Sequence, residues 1–165
     1  MKTIYLVRHA KSSWKDTSLS DFDRPLNKRG KNDVVIIGEL LNRMKIRPGL
    51  ILSSPAKRTR KTATGILEEL GYPENKIVFK EEIYEASDRT LLNTIKKTDE
   101  RFNSVMLFAH NPGLTQLNNL ISNHYIDNIP TCGVVALTTE KDWNNSGENS
   151  FNFLFFEYPK KYKIK

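Results

Sequence analysis

Two histidines and a few arginines carry the chemistry open to this sequence. Arg8 and His9 stand directly after the apolar run "TIYLV". His110 and Asn111 stand directly after "VMLFA". Arg58 lies in "SSPAKRTRKTA", close behind Ser54 and Pro55. Arginine presents a planar fork that matches phosphoryl oxygens and keeps its charge. A helix N-terminus would add unpaired N–H groups and a positive dipole end. A histidine among cations stays neutral, because they disfavour the imidazolium form. A neutral imidazole nitrogen is a nucleophile able to carry a covalent intermediate. Its other nitrogen then needs a backbone or side-chain acceptor to fix the tautomer. Singly, these residues have bland readings: a satisfied strand-end histidine, a surface arginine, a histidine that caps the next helix. Jointly, they all fall just past the carboxyl end of an apolar segment, which points to an anion site.

The elements needed to gather them are readable. Ile4 to Val7 is a short buried strand, followed by a polar, proline-containing loop through "SSWKDTSLSDFDRPLNKRG". Asn27 is a helix N-cap candidate ahead of Val34, Ile37, Leu40, Leu41 and Met44, which recur at helical spacing, although Gly30 sits early in that helix. "LILSS" is a second strand. Ser54 as N-cap, Pro55 at the first helical position and Gly71 as stop predict a helix between them. "KIVF" begins as a strand, "SDRTLLNTIKKTD" predicts a helix, "SVMLFAH" a strand, and "NPGLTQLNNLIS" a helix. "GVVALTTE" and "NSFNFLFFEY" read as strands joined by the polar turn "KDWNNSGE". Alternating strands and helices imply an α/β three-layer sandwich: a mostly parallel central sheet with helices on both faces. One domain is expected over residues 1–165. Ligand sites of such sheets lie outside the carboxyl ends of the strands, where Arg8, His9, Ser53, Ser54, His110 and Asn111 fall.

Composition narrows the function classes. Lys and Arg number 26 against 19 Asp and Glu, for a net charge of +7. That excess suits anionic substrates, nucleic acid or an acidic membrane surface. No nucleic-acid motif accompanies it, and aromatics are not interleaved with the basic stretches. No G-x-x-x-x-G-K-S/T is present, which disfavours a P-loop enzyme. No segment approaches the ~20 apolar residues of a membrane helix. "MKTIYLV" is too short for a signal peptide, and the lone Cys132 cannot form an internal disulfide; a cytoplasmic protein is expected. The lysines of "PKKYKIK" read as a solvated tail. No cluster has metal-ligand spacing.

The ordered motifs resemble those of the histidine phosphatase superfamily, the phosphoglycerate mutase-like fold. "LVRHAKSSW" resembles its R-H-G signature, with Ala10 for glycine. "SSPAKRTRKTA" resembles S-P-x-x-R-A-x-x-T-A, with Ser54, Pro55, Arg58, Thr62 and Ala63 in place and Thr59 where alanine is commoner. "AHNPGL" resembles the element that supplies a second histidine. "DFDRPLNKRG" resembles the short branch that includes SixA-type phosphohistidine phosphatases. The resemblance spans roughly Lys2 to Ile121.

It implies that His9 attacks phosphorus, that Arg8, Arg58 and His110 hold the equatorial oxygens, and that water hydrolyses the phosphohistidine, with no metal and no cofactor. Glu85 is the candidate general acid; its other reading is a solvated loop carboxylate. Ser12 matches the motif's hydroxyl residue and is a phosphate donor candidate. Arg24 reads either as a substrate contact or as a turn arginine. Asn111 reads as a site contact or as a helix cap, and Trp14 as a pocket wall or a loop cover. Lys15 stands where several relatives have asparagine. His124 reads as a surface histidine and Cys132 as a buried structural thiol. The expected function is a metal-independent phosphatase acting on phosphohistidine protein, another phosphorylated protein or a phosphate monoester. The partner is such a phosphoprotein or small ester, with no nucleic acid and no membrane, and the chain is expected to be a monomer. The alternatives are a non-catalytic phosphate- or phosphoprotein-binding module and a phosphomutase, whose long insertions this chain has little room for.

Overall fold

The computed structural model describes residues 1–163. In chain order it contains β1 (Lys2–Arg8), α1 (Lys28–Arg43), β2 (Leu50–Ser53), α2 (Lys57–Leu70), β3 (Ile77–Phe79), α3 (Asp88–Lys96), β4 (Ser104–Ala109), α4 (Gly113–Ile121), β5 (Val134–Thr139) and β6 (Asn152–Glu157). The six strands form one sheet in the order β3-β2-β4-β1-β5-β6. β3, β2, β4 and β1 run parallel, β5 is antiparallel to β1, and β6 is antiparallel to β5. The sheet is therefore mostly parallel, as the alternation of elements predicts.

Each central strand is buried on both faces, and the period of two divides its side chains between two cores. Ile4 and Leu6 of β1 join Leu107 of β4 against Leu91 and Ile95 of α3 and Leu114 and Leu117 of α4. Tyr5 and Val7 join Met106 and Phe108 against Ile37 and Leu41 of α1 and Ile66 and Leu67 of α2. Helices thus cover both faces and form the three layers. No helix among the described residues is long and apolar enough to cross a membrane.

Register sets the site. Arg8 pairs with Ala109, and Ser53 pairs with Phe108. The carboxyl ends of β2, β4 and β1 lie side by side, and their next residues, Ser54, His110 and His9, emerge together.

Two local expectations are corrected. α2 begins at Lys57, with Ala56 rather than Ser54 at the cap. The Ser54 hydroxyl instead accepts from Ala56 N–H at 3.2 Å and lies 2.8 Å from His110 Nε2. The polar turn between β5 and β6 contains Trp143, which is wholly buried and donates through Nε1 to Phe102 O at 2.7 Å. Over its described part the basic tail is solvated as expected, with Lys160, Lys161 and Lys163 exposed, while it packs back on the fold. Pro159–Tyr162 forms a 3-10 turn, and Lys163 Nζ lies 2.8 Å from Asp33 Oδ1, a carboxylate with no exposed surface. A buried carboxylate needs a counter-charge, and the tail supplies one. Ile164 and Lys165, the end of that stretch, lie outside the described residues.

Candidate active site

The backbone around His9 is held from three sides. β4 takes His9 N–H through Ala109 O at 3.2 Å. Cys132 N–H reaches the carbonyls of Arg8 and His9, each at 3.0 Å. Thr62 of α2 accepts Ala10 N–H at 2.9 Å and donates to Arg58 O at 2.7 Å. That hydroxyl joins the "RHA" turn to the helix that carries Arg58. Cys132 is buried, as expected, and burial pushes its thiol well up from the ordinary range.

α1 braces the same turn. Asn27 caps the helix, its side chain accepting Gly30 N–H at 2.8 Å, and its own N–H reaches Lys11 O at 3.0 Å. A Cβ on residue 30 would sit 2.2 Å from Lys11 O. Gly30 is early in the helix because only glycine lets the "RHA" turn approach this closely.

His9 is 8 % exposed and its Nδ1 lies 2.8 Å from Ala10 O. A carbonyl only accepts, so Nδ1 carries the proton and the neutral ring leaves Nε2 with a free lone pair. Burial first, and then Arg58, Arg8 and Arg24, push the imidazole down to about 4 against the opposing effect of the Ala10 hydrogen bond. Burial is thus a larger cause than the cations considered from sequence. The His110 ring centre is 5.3 Å from that of His9. Arg58 Nη2 donates to His110 Nδ1 at 3.3 Å, which leaves the proton on Nε2, facing Ser54 Oγ at 2.8 Å and Thr59 Oγ1 at 3.2 Å. Threonine at position 59, where alanine is commoner in the motif, thereby supplies His110 with a second hydroxyl neighbour. Burial, then His9 and Arg58, push His110 down to about 3.

The eight residues given a catalytic or substrate-contact role from sequence line one cavity of about 230 Å³: Arg8, His9, Ser12, Arg24, Arg58, Glu85, His110 and Asn111. Arg8 Nη1 donates to Ile129 O at 2.9 Å. Among the described residues, Arg8 Nε and Arg58 Nε are buried without a hydrogen-bond partner. Leaving a buried guanidinium N–H unpaired is costly. Arg24 is 7 % exposed and donates to Ser12 Oγ at 2.6 Å, so it is no simple turn arginine. Asn111 stands just before Pro112, the N-cap of α4, and faces the cavity: its side chain accepts Thr115 N–H of the helix's first turn at 3.1 Å and donates to Ile129 O at 3.0 Å. Glu85 is exposed at the rim with φ +51°, a left-handed conformation that non-glycine residues adopt at a cost.

Trp14 walls the cavity and stacks on Arg24, whose guanidinium carbon is 3.5 Å from the ring centre. Lys15 is not among the lining residues. His124 is exposed and stacks on Phe153 at 3.9 Å.

Sequence reasoning missed Asp21, Tyr84, Lys11 and Thr131. Lys11 and Thr131 line the cavity. Asp21 accepts from Arg24 Nε at 3.2 Å and Nη2 at 3.1 Å, and from Arg58 Nη2 at 3.0 Å. Tyr84 donates to Asp21 Oδ2 at 2.6 Å and sets its ring edge-on to His110, centres 5.5 Å apart. Partial burial opposes ionisation of Asp21, but the Tyr84 hydrogen bond and the Arg58 charge win and hold it at about 2. Tyr84 is pushed up to about 12 by burial and by Asp21, so it remains a donor. The "DFD" turn held the only sequence signal for Asp21, with nothing to separate it from Asp23.

The comparisons agree with this geometry. Residues 4–88 match the histidine phosphatase superfamily (branch 1). The chain is 32% identical over 158 residues to an uncharacterized chloroplastic protein of Arabidopsis thaliana, covering 91% of this chain and 71% of that one. It is similar to the structure of a protein assigned as phosphohistidine phosphatase SixA of Agrobacterium tumefaciens, at TM-score 0.80 and 32% identity, covering 96% of this chain and 98% of that one. The fold is shared with a protein histidine phosphatase SixA complexed with tungstate, at TM-score 0.82 and 20% identity over 98% and 99% of the two chains. The matched residues contain both the "RHA" turn and the arginine helix, and the parallel strands bring His110 to them from beyond the match; the chain belongs to the histidine phosphatase superfamily.

Proposed function

We propose that the protein is a metal-independent phosphatase that works through a phosphohistidine at His9. The observation that carries this reading is the free Nε2 lone pair of His9 in a cavity lined by the guanidinium groups of Arg8, Arg24 and Arg58. The Nε2 lone pair attacks phosphorus, and the bond to the leaving nitrogen or oxygen breaks with its electron pair on the leaving atom. Arg8, Arg58 and His110 surround the phosphoryl oxygens, and the fixed positive charge of the two guanidinium groups stabilises the transition state, with His110 neutral beside them. Ser12 and Arg24 add donors on one wall. Glu85, at the rim, protonates the leaving atom when that atom does not arrive protonated. Water then attacks phosphorus, the P–N bond breaks, and imidazole and inorganic phosphate are restored.

The cavity supports a phosphorylated protein as substrate. At about 230 Å³ it is smaller than the roughly 300–1,000 Å³ of pockets that enclose a whole small molecule. It holds the phosphoryl group and leaves the rest of the substrate outside. Phosphohistidine is the favoured linkage, since the proteins assigned as SixA share the fold across nearly the whole chain.

The test is hydrolysis of an aryl phosphate in excess chelator, followed by a panel of phosphohistidine proteins and small esters compared by kcat/KM. His9→Ala should abolish turnover and retain phosphate binding. Unchanged turnover in that variant would overturn the assignment of the nucleophile, and phosphate binding by an inactive wild-type protein would favour a non-catalytic module.

A further inference from the structure

A concavity of about 600 Å³, larger than the histidine cavity, lies beside it. It is a groove between the first two turns of α1 and the length of α2. Its floor is Leu26 and Val34, with Val35 44% exposed beside them. Gly65 keeps the helices close: a Cβ there would lie 2.4 Å from Val34 Cγ1. Lys31, Lys57 and Lys61 stand along one end, and Glu68 and Glu69 along the other. None of these five charged groups is in an ion pair among the described residues.

The groove is contiguous with the histidine cavity. Ser12 lines the cavity, Leu26 lines the groove, and the two residues form an isolated antiparallel β-bridge. Lys57 in the groove directly precedes Arg58 in the cavity. The lysines occupy the first turns of their helices, at the sheet edge where His9 emerges, while the glutamates lie in the last turn of α2.

We propose that this groove docks an acidic, partly apolar segment of the phosphorylated protein whose phosphoryl group enters the histidine cavity; the proposal rests on the phosphatase reading. The acidic residues of the segment lie over Lys31, Lys57 and Lys61, and an apolar side chain covers Val34 and Val35. Glu68 and Glu69 repel a segment that is acidic along its whole length, so the groove also sets the direction in which the segment lies. Charge complementarity of this kind fixes register and accelerates encounter.

The test uses two phosphohistidine peptides with the same apolar residues and either Asp/Glu or Lys/Arg on the one flank between these and the phosphohistidine, each made in both chain directions, with an aryl phosphate as control. The wild-type protein should prefer the acidic peptide by about tenfold in kcat/KM at low salt, an effect that fades as salt screens exposed charges. The double variant Lys31→Glu/Lys61→Glu should lose that preference and hydrolyse the aryl phosphate at the wild-type rate. No flank preference in the wild type, or a preference the variant keeps, overturns the proposal. Should no substrate be turned over, the phosphatase reading fails, and fluorescence anisotropy with the unphosphorylated acidic peptide still reads the groove. Weaker binding by the variant supports docking, and equal binding refutes it.

Discussion

Asp21 Oδ2 lies 3.0 Å from Arg58 Nη2, and the same oxygen accepts the Tyr84 hydroxyl. Through its other oxygen Asp21 holds Arg24. A carboxylate beside an anion site repels the anion, so its presence calls for a compensating gain. That gain is orientation: one ionised group aims two guanidinium groups that come from different parts of the chain. Asp21→Ala should therefore lower kcat by about 10- to 100-fold, the scale of losing charge-assisted hydrogen bonds to both arginines. Phosphate inhibition should change by less than about 3-fold, because lost repulsion offsets lost orientation. Asp21→Asn, which keeps one acceptor oxygen, should recover part of kcat. An unchanged kcat in Asp21→Ala would show that the arginines are held without it.

The two buried histidines make stability depend on pH. Their folded values lie at about 4 and about 3, below the roughly 6.5 of a free imidazole. The unfolded chain therefore binds protons that the folded chain refuses, and stability falls as pH drops from about 6.5 toward the folded values. Between pH 6.5 and 5 the unfolded carboxylates, at roughly 4, contribute little, so the histidines dominate that window. Each should remove roughly 1 to 1.5 kcal/mol across it. Urea unfolding at several pH values measures the slope, and His110→Gln should halve it. A flat profile from pH 6.5 to 5 would mean that the imidazoles take up protons in the fold as easily as in water.

The legible part of the site was the part written at strand ends. Arg8, His9 and His110 follow apolar runs directly, so a parallel sheet had to bring them to one edge whatever the loops did. Arg58 was legible because Pro55 and Gly71 bracket its helix. Asp21 and Tyr84 were not. Both come from connecting segments whose path is decided by tertiary contacts, and nothing local distinguishes Asp21 from Asp23. The start of α2 was misplaced for a related reason: His110 engages the Ser54 hydroxyl across the sheet edge, and sequence shows only the local competitor, the helix cap. Trp143 was hidden in a polar stretch because one large side chain leaves no periodic signal. The antiparallel placement of β5 and β6 likewise depends on which edge of β1 remains open, which is a property of the assembled sheet.

Gly30 offers a test of the brace between α1 and the "RHA" turn. A methyl group at this position meets Lys11 O at 2.2 Å, and the backbone on both sides is hydrogen-bonded. Gly30→Ala should destabilise the fold by about 1–3 kcal/mol, the usual range for overpacking, and should lower kcat beyond any loss of folded protein. Gly147→Ala is the control, since nothing lies within 4 Å of its added Cβ. Thermal unfolding and turnover per folded molecule separate the two effects. Equal behaviour of the two variants would remove the brace from the account.

Trp14 provides a spectroscopic handle on the cavity. The chain has 2 tryptophans. Trp143 is fully buried, whereas Trp14 is 69% exposed and stacked on Arg24 at the cavity wall. A phosphate that draws Arg24 inward changes the environment of Trp14 and leaves that of Trp143 alone. Emission should therefore respond to phosphate in a saturable way, and acrylamide should quench the responsive component. Trp14→Phe should abolish the response. It should also weaken phosphate binding by about 2- to 5-fold, the worth of an exposed cation–π contact. A response that persists in Trp14→Phe would place the change at Trp143, behind the core and away from Arg24, and the stacking would then have no part in anion binding.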